Sequence, residues 1–127
     1  MTQHPFLLVF LGGGLGSAAR YGVSRYIQPL FKTSFPVATL LVNVVASLVL
    51  GFLIGWLTVR VADREMYRLL IGVGFCGGLS TFSAFSTDTL TLLEQNRWAA
   101  LANIVLSVIL CLIASWLGLE AGLRRPS

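Results

Sequence analysis

Residues 69–93 read LLIGVGFCGGLSTFSAFSTDTLTLL, and the fold turns on this stretch. It has the length of a membrane span, yet it holds Gly72, Gly74, Gly77 and Gly78, followed by Ser80, Thr81, Ser83, Ser86, Thr87 and Asp88. A plain lipid-facing helix does not have that composition. A Gly77-Gly78 pair beside a hydroxyl cluster near mid-span predicts a helix that breaks there. Carbonyls unwound inside a membrane must be buried, hydrated or bound to a cation, and a sodium-sized ion would satisfy them.

Working outward, apolar segments at 5–26, 36–59 and 98–119 flank the broken span at 69–93. Four spans use nearly all of the 127 residues, so the chain reads as one all-α integral membrane domain, 1–127. Only 11% of residues are charged and 56% are hydrophobic, with a mean hydropathy of +0.84, which excludes an ordinary soluble globule. Pro5 suits a first helical turn, where its missing N–H has no partner to lose. The opening residues Met1-Thr2-Gln3-His4-Pro5 lack the basic start of a secretory signal, and the first helix is expected to be retained.

The net charge of +4 comes from scattered residues, with no cluster beyond the Arg124-Arg125 pair. These read as interfacial anchors, and no nucleic-acid partner is expected. With four spans, Arg60, Arg64, Arg68, Arg124 and Arg125 fall on one side of the membrane, and Arg20, Arg25, Lys32 and Arg97 on the other. Five against four sets almost no orientation preference, so insertion both ways is expected. Two copies could then pair antiparallel about an in-plane two-fold axis. Glycines four apart, at 12 and 16, 51 and 55, 74 and 78, and 118 and 122, predict close backbone approach between helices.

Several chemistries lack their parts. Gly72-x-Gly74-x-x-Gly77 has the spacing of a dinucleotide fingerprint but no strand or βαβ unit around it, and Gly12 to Gly16 lacks the ending of a phosphate loop. His4 is the sole histidine, Cys76 and Cys111 stand apart, and no enzyme activity is expected. A proton-coupled exporter would need an acid within a span, a role only Asp88 could take.

Three polar features are costly in lipid. Arg20 must snorkel, anchor at an interface, or face a water-filled vestibule. Thr39, Asn43 and Ser47, spaced by four, share one helix face; the Asn43 amide reads either as interhelical glue or as a pore-lining donor. Phe82 and Phe85 share a face within the hydroxyl cluster. They are core packing, or they offer positive ring edges that can replace water beside a small anion.

Taken together, the Gly12-Gly13-Gly14-x-Gly16-x-x-x-Arg20-Tyr21, Thr39-x-x-x-Asn43 and Gly74-Phe75-Cys76-Gly77-Gly78-Leu79-Ser80-Thr81-Phe82-Ser83-Ala84-Phe85-Ser86 segments, in that order, resemble the small bacterial fluoride channels of the Fluc or CrcB family. The likeness covers nearly the whole chain. It implies a dual-topology antiparallel homodimer in a bacterial inner (cytoplasmic) membrane, with two antiparallel fluoride pores and a central structural sodium ion. It further implies passive fluoride export that relieves fluoride toxicity. On the same basis Asn43 would be a pore donor, and Phe82 and Phe85 would present ring edges to fluoride. Thr39, Thr81 and Ser83 would belong to a polar track, with Arg20 near a vestibule. Carbonyls of Gly77 and Ser80 from both subunits would hold the sodium. Ser80 and Ala84 stand where the family often has threonine, and Ala84 leaves the track one hydroxyl short. In the fourth span Asn103 and Ser107 are possible pore-side residues, with interhelical hydrogen bonding as the other reading. The rival function is a small dual-topology proton-coupled exporter.

Overall fold

The computed structural model describes residues 4–60 and 62–124; Arg125, counted above among the charges, and residues 1–3 of the opening lie outside them. Helix α1, Pro5–Tyr26, begins on its proline and ends against a short 3-10 turn, Gln28–Phe31. Lys32 takes a left-handed conformation (φ 46°) that reverses the chain. Gln28 organises this connection, donating from Nε2 to the Phe35 carbonyl at 2.9 Å and accepting at Oε1 from the Ala38 N–H at 2.7 Å. The second contact satisfies one of the donors left open at the start of α2, Val37–Thr58. Its 22 residues extend about 33 Å, close to the thickness of a bilayer's hydrocarbon core.

Asp63, also left-handed at φ 58°, leads into the short α3, Arg64–Tyr67. The chain then widens into a π-helix over Arg68–Cys76 and tightens again as α4, Gly77–Leu79. Ser80 (ψ 157°) and Thr81 (φ −153°, ψ 119°) are extended, after which α5 runs Phe82–Gln95. Asn96 caps α6, Arg97–Leu123, by accepting from the Trp98 N–H at 3.0 Å. Among the described residues the chain is all-helical. Four segments are long and apolar enough to span a membrane: Pro5–Phe31, Val37–Thr58, Arg64–Gln95 and Arg97–Leu123.

The third span does break, at Ser80 and Thr81, two residues beyond the pair expected to break it. Gly77 and Gly78 stay helical, and Gly78 packs so closely on α1 that a Cβ there would collide with the Gly13 carbonyl. Gly78 serves contact between helices, a Cβ on Gly77 would meet nothing within 4 Å, and the hydroxyl residues behind them make the break.

The same use of glycine builds the whole bundle. On one side Gly12 and Gly16 of α1 meet the carbonyls of Leu70 and Phe75. On the other, Gly51 and Gly55 of α2 face the Ser115 and Leu119 carbonyls, while Gly118 and Gly122 of α6 face those of Leu48 and Phe52. All eight spaced glycines thus act within one chain, as two helix pairs that bring backbones together. Between the pairs sits a small core of Val42, Ala46, Cys76 and Leu79.

Large apolar side chains point outward instead: Phe6 is 90% exposed and Phe10 76%. Water would not tolerate that surface, and lipid does. At the turn between α2 and α3, the Arg60 guanidinium lies over the rings of Trp56 (4.6 Å) and Tyr67 (4.9 Å), an aromatic and basic anchor of the kind found at membrane interfaces. The chain is a multi-pass membrane protein.

Candidate functional site

At the break, two backbone donors have turned away from their helical acceptors. The Thr81 N–H, which in a continuous helix would reach the Gly77 carbonyl, instead donates to Asn43 Oδ1 at 2.7 Å. The Ala84 N–H, which would reach the Ser80 carbonyl, donates to Thr81 Oγ1 at 3.0 Å, a side-chain cap on α5. The extended residues interrupt the helical ladder for the carbonyls of Gly77 to Ser80; the donors proper to Gly77 and Ser80 are found on side-chain acceptors, and the Gly78 carbonyl accepts from Arg20 instead. The Ser80 N–H and hydroxyl both donate to the Cys76 carbonyl, at 3.0 and 2.7 Å, which closes α4.

Asn43 holds the break from α2. Its Nδ2 donates to the Thr81 carbonyl at 3.2 Å while its Oδ1 accepts from the Thr81 N–H, so one side chain pairs both polar groups of one backbone residue. That pairing also fixes the orientation of the amide, since only the oxygen can face an N–H and only the nitrogen a carbonyl. The oxygen is engaged, and one N–H hydrogen remains.

Asn43 also lines a cavity of about 300 Å³, together with Ser47, Ser80, Thr81, Phe82, Phe85, Ser107, Val108 and Cys111. The two phenyl rings stand 5.5 Å apart, tilted by 41°. Thr81 is shared with a small hollow of about 50 Å³ that Arg20, Ser24, Thr39 and Ala84 line. Ser24, Thr39 and Ala84 in turn belong to a polar cavity of about 340 Å³ under the first connection, with Gln28, Thr33, Ser34 and Asp88. A series of hollows with shared walls thus runs from the α1–α2 connection, past Thr81 and Asn43, to the phenyl pair.

Most of the residues singled out from the sequence meet along this series. Arg20 donates from Nε to the Gly78 carbonyl at 3.1 Å, which ties its charge to α4 beside the break. Thr39 donates to Asp88 Oδ2 at 2.8 Å. Asp88 lies mid-α5 but at the depth of the first connection, whose residues share its cavity. Ser83 is exposed, with its hydroxyl 3.1 Å from that of Thr81. Ser107 lines the large cavity.

Asn103 makes the interhelical hydrogen bonding that is the other reading of it. It is buried between α5 and α6, donating to Thr89 Oγ1 at 2.9 Å and accepting from Ser107 Oγ at 3.4 Å. Its spacing of four from Ser107 places it on the right face, but the closeness of α5 shuts that part of the face. Sequence reasoning missed Thr89, Gln28 and the Gly78 carbonyl. The Gly78 carbonyl and Thr89 act through contacts between different helices, which nothing local in the sequence announces, while Gln28 acts within its own connection, on Phe35 and Ala38. Among the described residues no group of three or more His, Cys, Asp or Glu side chains could hold a metal ion.

A family model described as CrcB-like protein, Camphor Resistance (CrcB), matches residues 7–119. A protein of Coxiella burnetii named "Fluoride-specific ion channel FluC" is 42% identical over 118 residues, covering 91% of this chain and 95% of its own. Proteins of the same name from Pyrococcus abyssi and Pseudoalteromonas translucida are 45% and 40% identical over 119 residues. Each match covers 93% of this chain, and 95% and 99% of those proteins respectively.

Proposed function

The chain belongs to the CrcB-like family, and from that premise we propose that it is a passive, fluoride-selective channel that lets cytoplasmic fluoride leave down its electrochemical gradient. The observation that carries this reading is the spare hydrogen of Asn43. With Oδ1 turned to the Thr81 N–H and one Nδ2 hydrogen to its carbonyl, the amide keeps one N–H hydrogen to offer the cavity. Such a group favours an anion over a cation. Phe82 and Phe85 line the same cavity, and ring edges carry partial positive charge, which suits a small dehydrated anion.

The pathway runs from the Asp88 and Thr39 vestibule past Arg20 and Thr81 to the phenyl pair. Hydrofluoric acid crosses membranes as a neutral molecule and dissociates in a more neutral cytoplasm, which traps the ion. Its exit then needs no coupling. The protein would sit in the inner (cytoplasmic) membrane of a bacterium, as an antiparallel homodimer with two pores. The near balance of basic residues and the 78% exposure of Phe82 in a single chain support pairing. The Gly77 and Ser80 carbonyls, contributed by both copies, fit a structural sodium ion. Bound there, the ion would neutralise their partial charges and hold the break.

The test is fluoride efflux from liposomes holding the purified protein, with valinomycin to clamp the potential and a fluoride electrode as readout. Fast fluoride release with chloride retained is the expected result. Release that requires an imposed proton gradient and is lost in Asp88→Asn would instead identify a proton-coupled exporter. Retention of both ions by vesicles containing folded protein would refute any channel.

A further inference from the structure

Asn103 is 1% exposed, the most completely buried large side chain among the described residues, although it is a primary amide in a membrane-spanning helix. Its contacts form a directed relay. The Thr89 hydroxyl gives its one hydrogen to the Phe85 carbonyl at 2.7 Å, and its oxygen accepts from Asn103 Nδ2 at 2.9 Å. Asn103 Oδ1 is thereby left to accept from Ser107 Oγ at 3.4 Å. The two ends of the relay, Phe85 and Ser107, are walls of the 300 Å³ cavity, while Asn103 and Thr89 stand behind them, buried.

The break makes such a tie necessary. Because Ser80 and Thr81 are extended, the rotation of α5 is not set by helical continuity with α4 and must be fixed from the side. Helix α6, by contrast, is held to α2 by the reciprocal glycine contacts. We infer that Asn103 is a positioning residue of the pathway: acting through Thr89, it locks α5 against α6 and so sets the separation between the Phe85 ring and the Ser107 hydroxyl. This rests on the channel reading above.

The experiment measures unitary fluoride current in planar bilayers and, for the same preparations, the fraction of trapped fluoride that liposomes release. Asn103→Leu and Thr89→Val are each expected to lower the unitary current at least tenfold, with the released fraction unchanged. The double variant should be no worse than the weaker single, because both changes cut one relay. Thr89→Ser, which keeps the hydroxyl, should stay within about twofold of the parent. A purely structural tie would lower the released fraction and leave the unitary current intact, and that result overturns the inference. So do independent, multiplying effects. If Asn103→Leu fails to fold, Thr89→Val and Thr89→Ser decide alone, since they alter only a methyl and a hydroxyl. If the unmodified chain passes no fluoride, the channel reading fails and takes the positioning role with it.

Discussion

Replacing Asn43 by aspartate removes a single hydrogen from the pathway. A carboxyl set against the Thr81 carbonyl in apolar surroundings keeps its proton. Protonated, it reproduces the clamp: the carbonyl oxygen accepts from the Thr81 N–H, and the hydroxyl donates to the Thr81 carbonyl, as the amide does at 2.7 and 3.2 Å. What it lacks is the remaining N–H. Asn43→Asp should therefore fold and melt like the parent while losing the donor offered to the ion. A hydrogen bond to a charged partner contributes about 1.5–3 kcal/mol. At about 1.4 kcal/mol per decade, the fluoride current should fall roughly 10- to 100-fold.

Asn43→Leu supplies the contrast. It orphans both Thr81 groups inside the membrane, and at about 1–1.5 kcal/mol for each bond it should cost about 2–3 kcal/mol of stability in addition to the conduction. Unitary current and thermal melting in detergent, measured on both variants, separate the two functions of the amide. Parent-like current in Asn43→Asp would refute the donor assignment. A parent-like melt in Asn43→Leu would refute the clamp.

Gly118→Ala places a Cβ against the Leu48 carbonyl and should cost about 1–3 kcal/mol in a melting experiment. Gly14→Ala, which meets nothing within 4 Å, should be neutral or stabilising by up to about 1 kcal/mol through helix propensity. Arg20→Gln lets go of the Gly78 carbonyl and removes a positive charge beside the pathway. We expect about a fivefold loss of fluoride current, taking the contact at about 1 kcal/mol, and an unchanged current would place Arg20 outside the conduction route. A reporter fused after the last helix should be active on both faces of the membrane, given the five-to-four division of basic residues, and activity on one face alone would exclude dual insertion.

The spans were legible because apolar length is a one-dimensional property. A stretch of about 20 apolar residues has few other uses. The glycine contacts were legible for a related reason, since a spacing of four puts both glycines on one face and only close approach makes use of that. Gly77-Gly78 shows where this reasoning stops. Glycine can end a helix or admit a neighbour, and the local sequence does not distinguish these uses. The choice was made by Gly13 on α1, more than sixty residues away in the chain.

The position of the break follows from the same distinction. Opening a helix in a membrane is feasible only where the released groups find other partners, and here those partners are side chains carried by other residues. Thr81 can leave the helix because Asn43 receives its N–H and carbonyl and its own hydroxyl receives the Ala84 N–H. Gly78 stays helical because its surface is already occupied by α1. Asn43 was visible in the sequence as a polar residue in an apolar span, but its pairing with Thr81 was not, since they stand 38 positions apart. The clamp that supports the break therefore leaves an amide hydrogen for the pathway, so that disturbing Asn43 affects fold and conduction together unless the substituted group is, like a protonated carboxyl, able to serve one purpose and not the other.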